Sequence, residues 1–569
     1  MNEYRFTFTY GFSGRTYALT AESPTSPYAD AVIDRADGRV RVTIRPKAFI
    51  AFETAELTKS RPFADSERFF GNGYQSWSTS REYAKSDRQP GVPAPLDKDF
   101  IKGLPGISSD VFFCPQDSAP GHIRSHCYTY IKDVENPGKI AFCGSLNERT
   151  GFTWFSADLP AGSITVHKDV EGVETADEYE LFDLIELRGS FDEVFDAYFA
   201  ALGVGKPRVD HLSGYTSWYN YFQKIDQNII LRDLNDMDPV REHVNIFQVD
   251  DGYETFVGDW LDPNPKKFPD GMAHVAKKIH DKGYMAGIWL APFNLQIKSR
   301  TFRDHPDWII RTKNGKPLLG CAGWGGAYTM NIYKEEPREY IRHFFDVILN
   351  EWGYDMVKLD FLYSQCQIPR NGKSRGQIMC EGLDFLRECC GDKLILGCGV
   401  PIGPAITTGV FDACRVTCDV SLQYNGGIIG KLPINAELPS AIYSMTNSVF
   451  RRQLNGRAFL NDPDVFFLRY KNLKFNMEQK MTLATVNHIF GDVLFVSDDM
   501  AEYTDADFEA VKKLYGKSDF TVEDVNYVDG NKKIVVSLRD AAGRQKMLWF
   551  SIASGFGSAS EIIGLMTSR

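Results

Sequence analysis

Several things are scarce in this chain of 569 residues, and each shortage narrows what it can be. No window approaches the ~18 uninterrupted apolar residues of a membrane-spanning helix. The opening "MNEYRFTFTYGFSGR" has no apolar stretch after a basic one, so no signal peptide is expected and a cytoplasmic location is. Basic residues are outnumbered, 64 Lys and Arg against 75 Asp and Glu, a net charge of −11. Nucleic acid is therefore not the expected partner, because phosphate binding needs clustered cations. The eleven cysteines form no paired Cys-x-x-Cys pattern, which speaks against zinc and for reduced thiols. No Gly-x-Gly-x-x-Gly follows an early strand, so a dinucleotide site is not expected. There is no internal repeat.

What is present changes character along the chain. The first ~190 residues alternate apolar and polar at period two, as in "YRFTFTY", "RVRVTIRP", "KIAFCGSL" and "SITVHKDV", with turn residues at the breaks. Many short strands of this kind predict a β-sandwich. "SFDEVFDAYFAALGV" has helical spacing, with Phe191, Val194, Phe195, Tyr198 and Phe199 on one face. From residue 213 short apolar strands alternate with amphipathic helices. "YTSWY", "VNIFQVD", "YMAGIWLAP", "YDMVKLDF", "KLILGCG", "ACRVTCD", "RAFLNDP" and "GDVLFVS" are the candidate strands. Eight such strands predict a (β/α)8 barrel. The tail contributes "KKIVVSLRD", "RQKMLWFSIAS" and "SEIIGLM", read as strands. The expected layout is a multidomain α/β protein: an N-terminal β-sandwich with its linker helix (1–200), a central TIM barrel (201–498) and a small C-terminal antiparallel β-domain (499–569).

A barrel of this type works at the C-terminal ends of its strands. The polar residues there are Trp218 and Tyr219, then Asp250 and Asp251, Trp289, Lys358 with Asp360, Cys398, Arg415 with Asp419, and Asn461, Asp462 and Asp464. Histidine is nearly absent from these ends, which suits neither a transition-metal site nor a Ser-His-Asp triad. Paired carboxylates with aromatic neighbours suit glycoside hydrolysis. Each feature has a structural alternative. Asp250-Asp251 can cap a loop, Lys358 can form a buried ion pair with Asp360, Asp419 can pair with Arg415, and "NDPD" can be an Asx-type turn.

The motifs "NGYQSW", "FQVDDGYE", "GDW", "FPDGM", "GIWLAPF", "HPDW", "VKLDF", "LGCGVPIGP", "CRVTCDV" and "NDPDV" together resemble glycoside hydrolase family 36, the α-galactosidase or melibiase family of retaining α-glycosidases. The resemblance implies Asp360 as nucleophile and Asp419 as general acid/base. It implies Asp250 and Asp251 on the 4- and 6-hydroxyls, Lys358 on ring hydroxyls, and Arg415 and Cys398 near the 2-hydroxyl. Trp289 and Trp218 become pocket walls, and Trp77 reaches over from the sandwich to close the pocket. Lys358 is expected to favour ionised Asp360, and Arg415 to point at substrate rather than at Asp419. Two departures stand out. "LGCGVPIGP" differs from the Cys-x-x-Gly-Gly-Gly form of longer bacterial members, and Phe361 replaces an Asn common in many members. The implied substrates are small α-galactosides of the melibiose or raffinose type. No metal, cofactor, nucleic acid or membrane is expected, and homo-oligomers built through the sandwich are compatible with the family. Three alternatives stay open: the same scaffold acting on α-N-acetylgalactosamine or as a transglycosylase, a metal-dependent barrel hydrolase, and a sugar-binding protein without turnover.

Overall fold

The computed structural model describes residues 4–89, 119–427, 439–528 and 530–564. Within these, the N-terminal third builds two antiparallel sheets facing each other. The period-two reading has its cause in burial. In strand Arg5–Phe12, Phe6, Phe8 and Tyr10 point inward while Arg5 and Thr7 stay exposed. They share one apolar core with Leu57, Phe155 and Val166 of their own sheet and Val42 and Ile44 of the facing sheet. Helix Phe191–Leu202 starts on a capping box, Ser190 with Glu193, and stops at Gly203 in the left-handed region. Its buried face is the five residues read from the sequence. That face packs on Tyr128, Tyr130 and Phe142 of the sandwich, and belongs to the same apolar core as the barrel. The two domains therefore share a core.

The barrel strands run Leu212–Thr216, Ile246–Val249, Met285–Leu290, Met356–Leu359, Leu394–Gly397, Ala413–Arg415, Leu460–Asp462 and Val493–Val496. Each is parallel to the next, and the eighth pairs with the first. Strand seven is broken. Leu460–Asp462 pairs with strand six, and Val465–Phe466, beyond Pro463 and the left-handed Asp464, pairs with strand eight. Proline offers no N–H to a ladder, so the strand is interrupted there and resumes.

Two readings are corrected. "YTSWY" is not all strand: the chain leaves the sheet after Thr216, and Trp218 and Tyr219 sit on the short helix Trp218–Tyr221. "SEIIGLM" is not a strand in its described part. It forms helix Ala559–Ile563, whose Ile562 and Ile563 cover the main apolar core beside helix Met477–Phe490. The third strand of the C-terminal sheet is instead Thr521–Val528, antiparallel to Lys533–Arg539, which also pairs with Gln545–Ser551. Among the described residues no helix is long and apolar enough to cross a membrane.

Candidate active site

The strand ends deliver their side chains to one cavity of about 580 Å³ at the barrel mouth. Asp250, Asp251, Asp360 and Asp419 line it together with Lys358, Trp77, Trp218, Trp289, Trp324 and Phe361. Eight of the ten residues singled out in the sequence are thus brought together.

The carboxylates are held in different ways. Asp250 Oδ2 accepts from Lys358 Nζ at 2.9 Å and from Gln248 Nε2 at 2.8 Å. Burial alone would drive the Lys358 ammonium down, but the Asp250 carboxylate holds it well up. Lys358 therefore pairs with strand two, not with Asp360 two residues along. Asp251 accepts from Gln223 Nε2 at 3.0 Å and from Trp324 Nε1 at 2.8 Å. Gly252 permits that approach: its φ is +120°, and a Cβ there would lie 2.7 Å from the Gln223 Cα. Burial pushes the Asp251 carboxyl up, against these N–H donors. Glu254, also buried, is pushed well up by burial and by Asp251's charge.

Asp360 follows directly on strand four. Its own N–H still bonds Leu290 O of strand three at 2.8 Å. Its Oδ2 accepts from Trp289 Nε1 at 3.2 Å and its Oδ1 from the Phe361 N–H at 2.7 Å. Phe361 has φ +54°, a left-handed conformation that turns this N–H back to the carboxylate. The Asp360 carboxyl is raised: burial dominates, Lys358 opposes it, and the charge of Asp419 adds to it. Lys358 thus favours the ionised form, as expected, but it does so at a distance, since its direct partner is Asp250 and burial outweighs it.

Arg415 is a correction. It does not line the cavity. Its Nη1 donates to Asp419 Oδ1 at 2.7 Å, Nη2 to Asp464 Oδ1 at 2.8 Å and Nε to Asp462 Oδ2 at 3.3 Å. Three carboxylates around one buried guanidinium outcompete a direction toward the open pocket. "NDPD" is an Asx turn, with the Asp464 N–H on Asp462 Oδ1 at 2.8 Å, and it is also the clamp on Arg415. Tyr219 and the Val420 N–H also bond Asp464 Oδ2. The Asp419 side chain is 39% exposed, the freest of this group. Cys398 likewise does not line the cavity. It packs behind the wall with Trp77, Tyr363 and Cys418, and burial pushes its thiol well up.

Sequence reasoning missed Trp324 and Gln223. Trp324 rides on a three-stranded sheet inserted after strand three, Asn294–Gln296, Leu319–Cys321 and Ala327–Thr329. A tryptophan flanked by glycines, "AGWGGA", was the available signal. Among the described residues, one acidic trio has oxygens within 4.8 Å of one another, and it lies outside this cavity: Asp233, Asp236 and Asp499. Arg232 pairs with Asp233 at 2.7 Å and with Asp499 at 3.5 Å.

The melibiase family profile matches residues 219–378, which carry Asp250, Asp251, Trp289, Lys358 and Asp360. Over that segment, less than a third of its length, the chain is similar to the melibiase family. Among curated relatives, α-galactosidase Mel36A of Lactobacillus acidophilus is 28% identical over 124 residues, 21% of this chain and 16% of that protein. The A type blood α-D-galactosamine galactosaminidase of Flavonifractor plautii is 29% identical over 131 residues, 21% of this chain and 12% of that protein. The matched segments thus span about a sixth of these relatives or less. The solved α-galactosidase TtGalA of Thermus thermophilus, in complex with p-nitrophenyl α-D-galactopyranoside, has the same fold. Its TM-score is 0.71 at 23% identity, over 94% of this chain and 99% of that one.

Proposed function

We propose that this protein is a melibiase-family enzyme, a retaining, exo-acting α-galactosidase that removes terminal α-galactosyl residues from small oligosaccharides. The observation that carries the reading is the single cavity in which Asp360 and Asp419 face one space between fixed hydroxyl acceptors and aromatic walls. Solved relatives hold stachyose and raffinose, which supports the oligosaccharide class.

Asp250 and Asp251 are buried acceptors locked by Lys358, Gln223 and Trp324, so they suit sugar hydroxyls of fixed direction. Asp360 attacks the anomeric carbon and forms a β-linked glycosyl-enzyme. Asp419, the most exposed of these carboxylates, gives its proton to the departing oxygen. It then takes one from the incoming water, and the product keeps its α-configuration. Asp360→Ala should lower turnover of an aryl α-galactoside by about three orders of magnitude or more, and azide should restore it as β-galactosyl azide. An α-azide product, or near-normal activity in the variant, would sink the assignment. The same assay with nitrophenyl α-N-acetylgalactosaminide tests the second glycone, which the galactosaminidase relative makes worth testing.

A further inference from the structure

Trp77 lines the cavity from another domain. It sits between sandwich strands Glu67–Gly71 and Arg81–Tyr83, on the loop "NGYQSWSTS". Its indole N–H is buried and bonds to nothing among the described residues, so no hydrogen bond of its own fixes the ring. Its loop is fixed instead. Arg451 follows barrel helix Ala441–Phe450 and is fully buried. Its Nη1 donates to Ser76 O at 2.6 Å, next to Trp77, and to Val416 O at 2.9 Å, three residues before Asp419. Its Nη2 donates to Gly73 O at 3.1 Å and Gln75 O at 3.0 Å, and its Nε to Asn72 Oδ1 at 3.0 Å. The five N–H donors of a guanidinium thus meet five oxygens, four on the Trp77 loop and one on the Asp419 segment.

We propose that Arg451 is a positioning residue that registers the Trp77 loop of the sandwich against the Asp419 segment of the barrel, so that the cavity's aromatic wall and its proton donor are set together. The role of Asp419 in this statement rests on the α-galactosidase reading. The coupling itself rests on the two sets of bonds. A lysine offers three donors from one point and cannot span both arms.

The test uses the full chain with Arg451→Lys. In hydrogen exchange, segments 72–80 and 414–420 should lose protection together while sandwich strand Ile140–Ser145 does not. In kinetics, kcat/KM on an aryl α-galactoside should fall about 10- to 100-fold, the scale of an ångström-level misplacement. Trp77→Ala should cost a similar factor, and the double variant should lose much less than the product of the two. A galactoside with a poor leaving group should suffer more than one whose leaving group needs no proton. Asn72→Ala, which removes one of the five acceptors and leaves the guanidinium in place, should raise exchange in 414–420 as well, by less. Additive losses in the double variant overturn the proposal, as does unchanged exchange in 414–420 in either folded variant. The Asn72 arm decides the matter if Arg451→Lys does not fold. The exchange arm needs no turnover, so failure of this coupling is distinguishable from failure of the α-galactosidase reading.

Discussion

Replacing Trp324 with Phe isolates one bond in the cavity. Trp324 Nε1 donates to Asp251 Oδ2 at 2.8 Å. Its ring also meets Trp289 and Phe361 edge-on, at centroid distances of 5.9 and 5.0 Å. Phenylalanine keeps most of that ring contact and deletes only the N–H. A hydrogen bond to a charged group contributes about 1.5–3 kcal/mol, which corresponds to about 10- to 150-fold. Gln223 still holds Asp251 through both oxygens, at 3.1 and 3.0 Å, so the lower part of that range is expected. Asp251 is proposed to hold the sugar in the ground state and transition state alike, so KM should rise with little change in kcat. The sign of the pH effect follows from the same bond. Burial raises the Asp251 carboxyl and the Trp324 N–H opposes that rise. Without it the carboxyl rises further, and the acid limb of kcat/KM moves to higher pH. The assay is steady-state hydrolysis of p-nitrophenyl α-galactoside from pH 4 to 8, beside a thermal melt that confirms folding. A folded variant with kcat/KM within about threefold of wild type and an unmoved acid limb would refute the role given to Asp251.

Two further outcomes concern Asp464, which is buried, and Phe361, which is half-buried. Asp464 is pushed up by burial to about 7, so the folded protein holds its proton where the unfolded chain has lost it. Its contribution to stability is therefore fully present below about pH 4 and declines as pH rises to about 7. The difference in melting temperature between wild type and Asp464→Asn should fall across that window, and a difference that is flat or rises with pH contradicts the argument. Phe361→Asn relieves a left-handed backbone, worth about 1 kcal/mol, but loses edge contacts to Trp77 and Trp324 of similar total size. The melting temperature should barely move while KM rises several-fold, and an unchanged KM would remove Phe361 from the substrate wall.

The parts legible in the sequence were those set by local periodicity. Inward Phe6, Phe8 and Tyr10 follow from alternation, and the buried face of helix Phe191–Leu202 follows from its spacing. The carboxylates at the strand ends could be placed because a parallel barrel fixes which end is open. What could not be read depends on partners distant in sequence. Lys358 lies two residues from Asp360 but 108 from Asp250, its actual partner. Arg415 lies four residues from Asp419, yet Asp462 and Asp464, on the broken strand seven, fix where it points. The break itself needs Pro463 and a left-handed Asp464 together, and only the proline is visible beforehand. The C-terminal "SEII" has strand-like composition, but its isoleucines find a neighbouring helix to cover.

The distribution of cations separates the proposed chemistry from its scaffold. Lys358 lies on Asp250, and Arg415 is shared among Asp419, Asp462 and Asp464. Among the described residues Asp360 bonds only N–H donors, the indole of Trp289 and the backbone of Phe361. A carboxylate locked in a direct ion pair is a poor nucleophile, because attack requires giving up that attraction. Dipoles hold the same oxygens in place at a smaller cost to basicity, and the raised Asp360 carboxyl fits that arrangement. Asp250 can be paired without loss, because an acceptor for a hydroxyl needs fixed direction more than reactivity. Asp419 differs again. Its Oδ1 is tied to a guanidinium whose charge two further carboxylates share, while 39% of its side chain stays open to the cavity and solvent, as a group that must both give and take a proton requires.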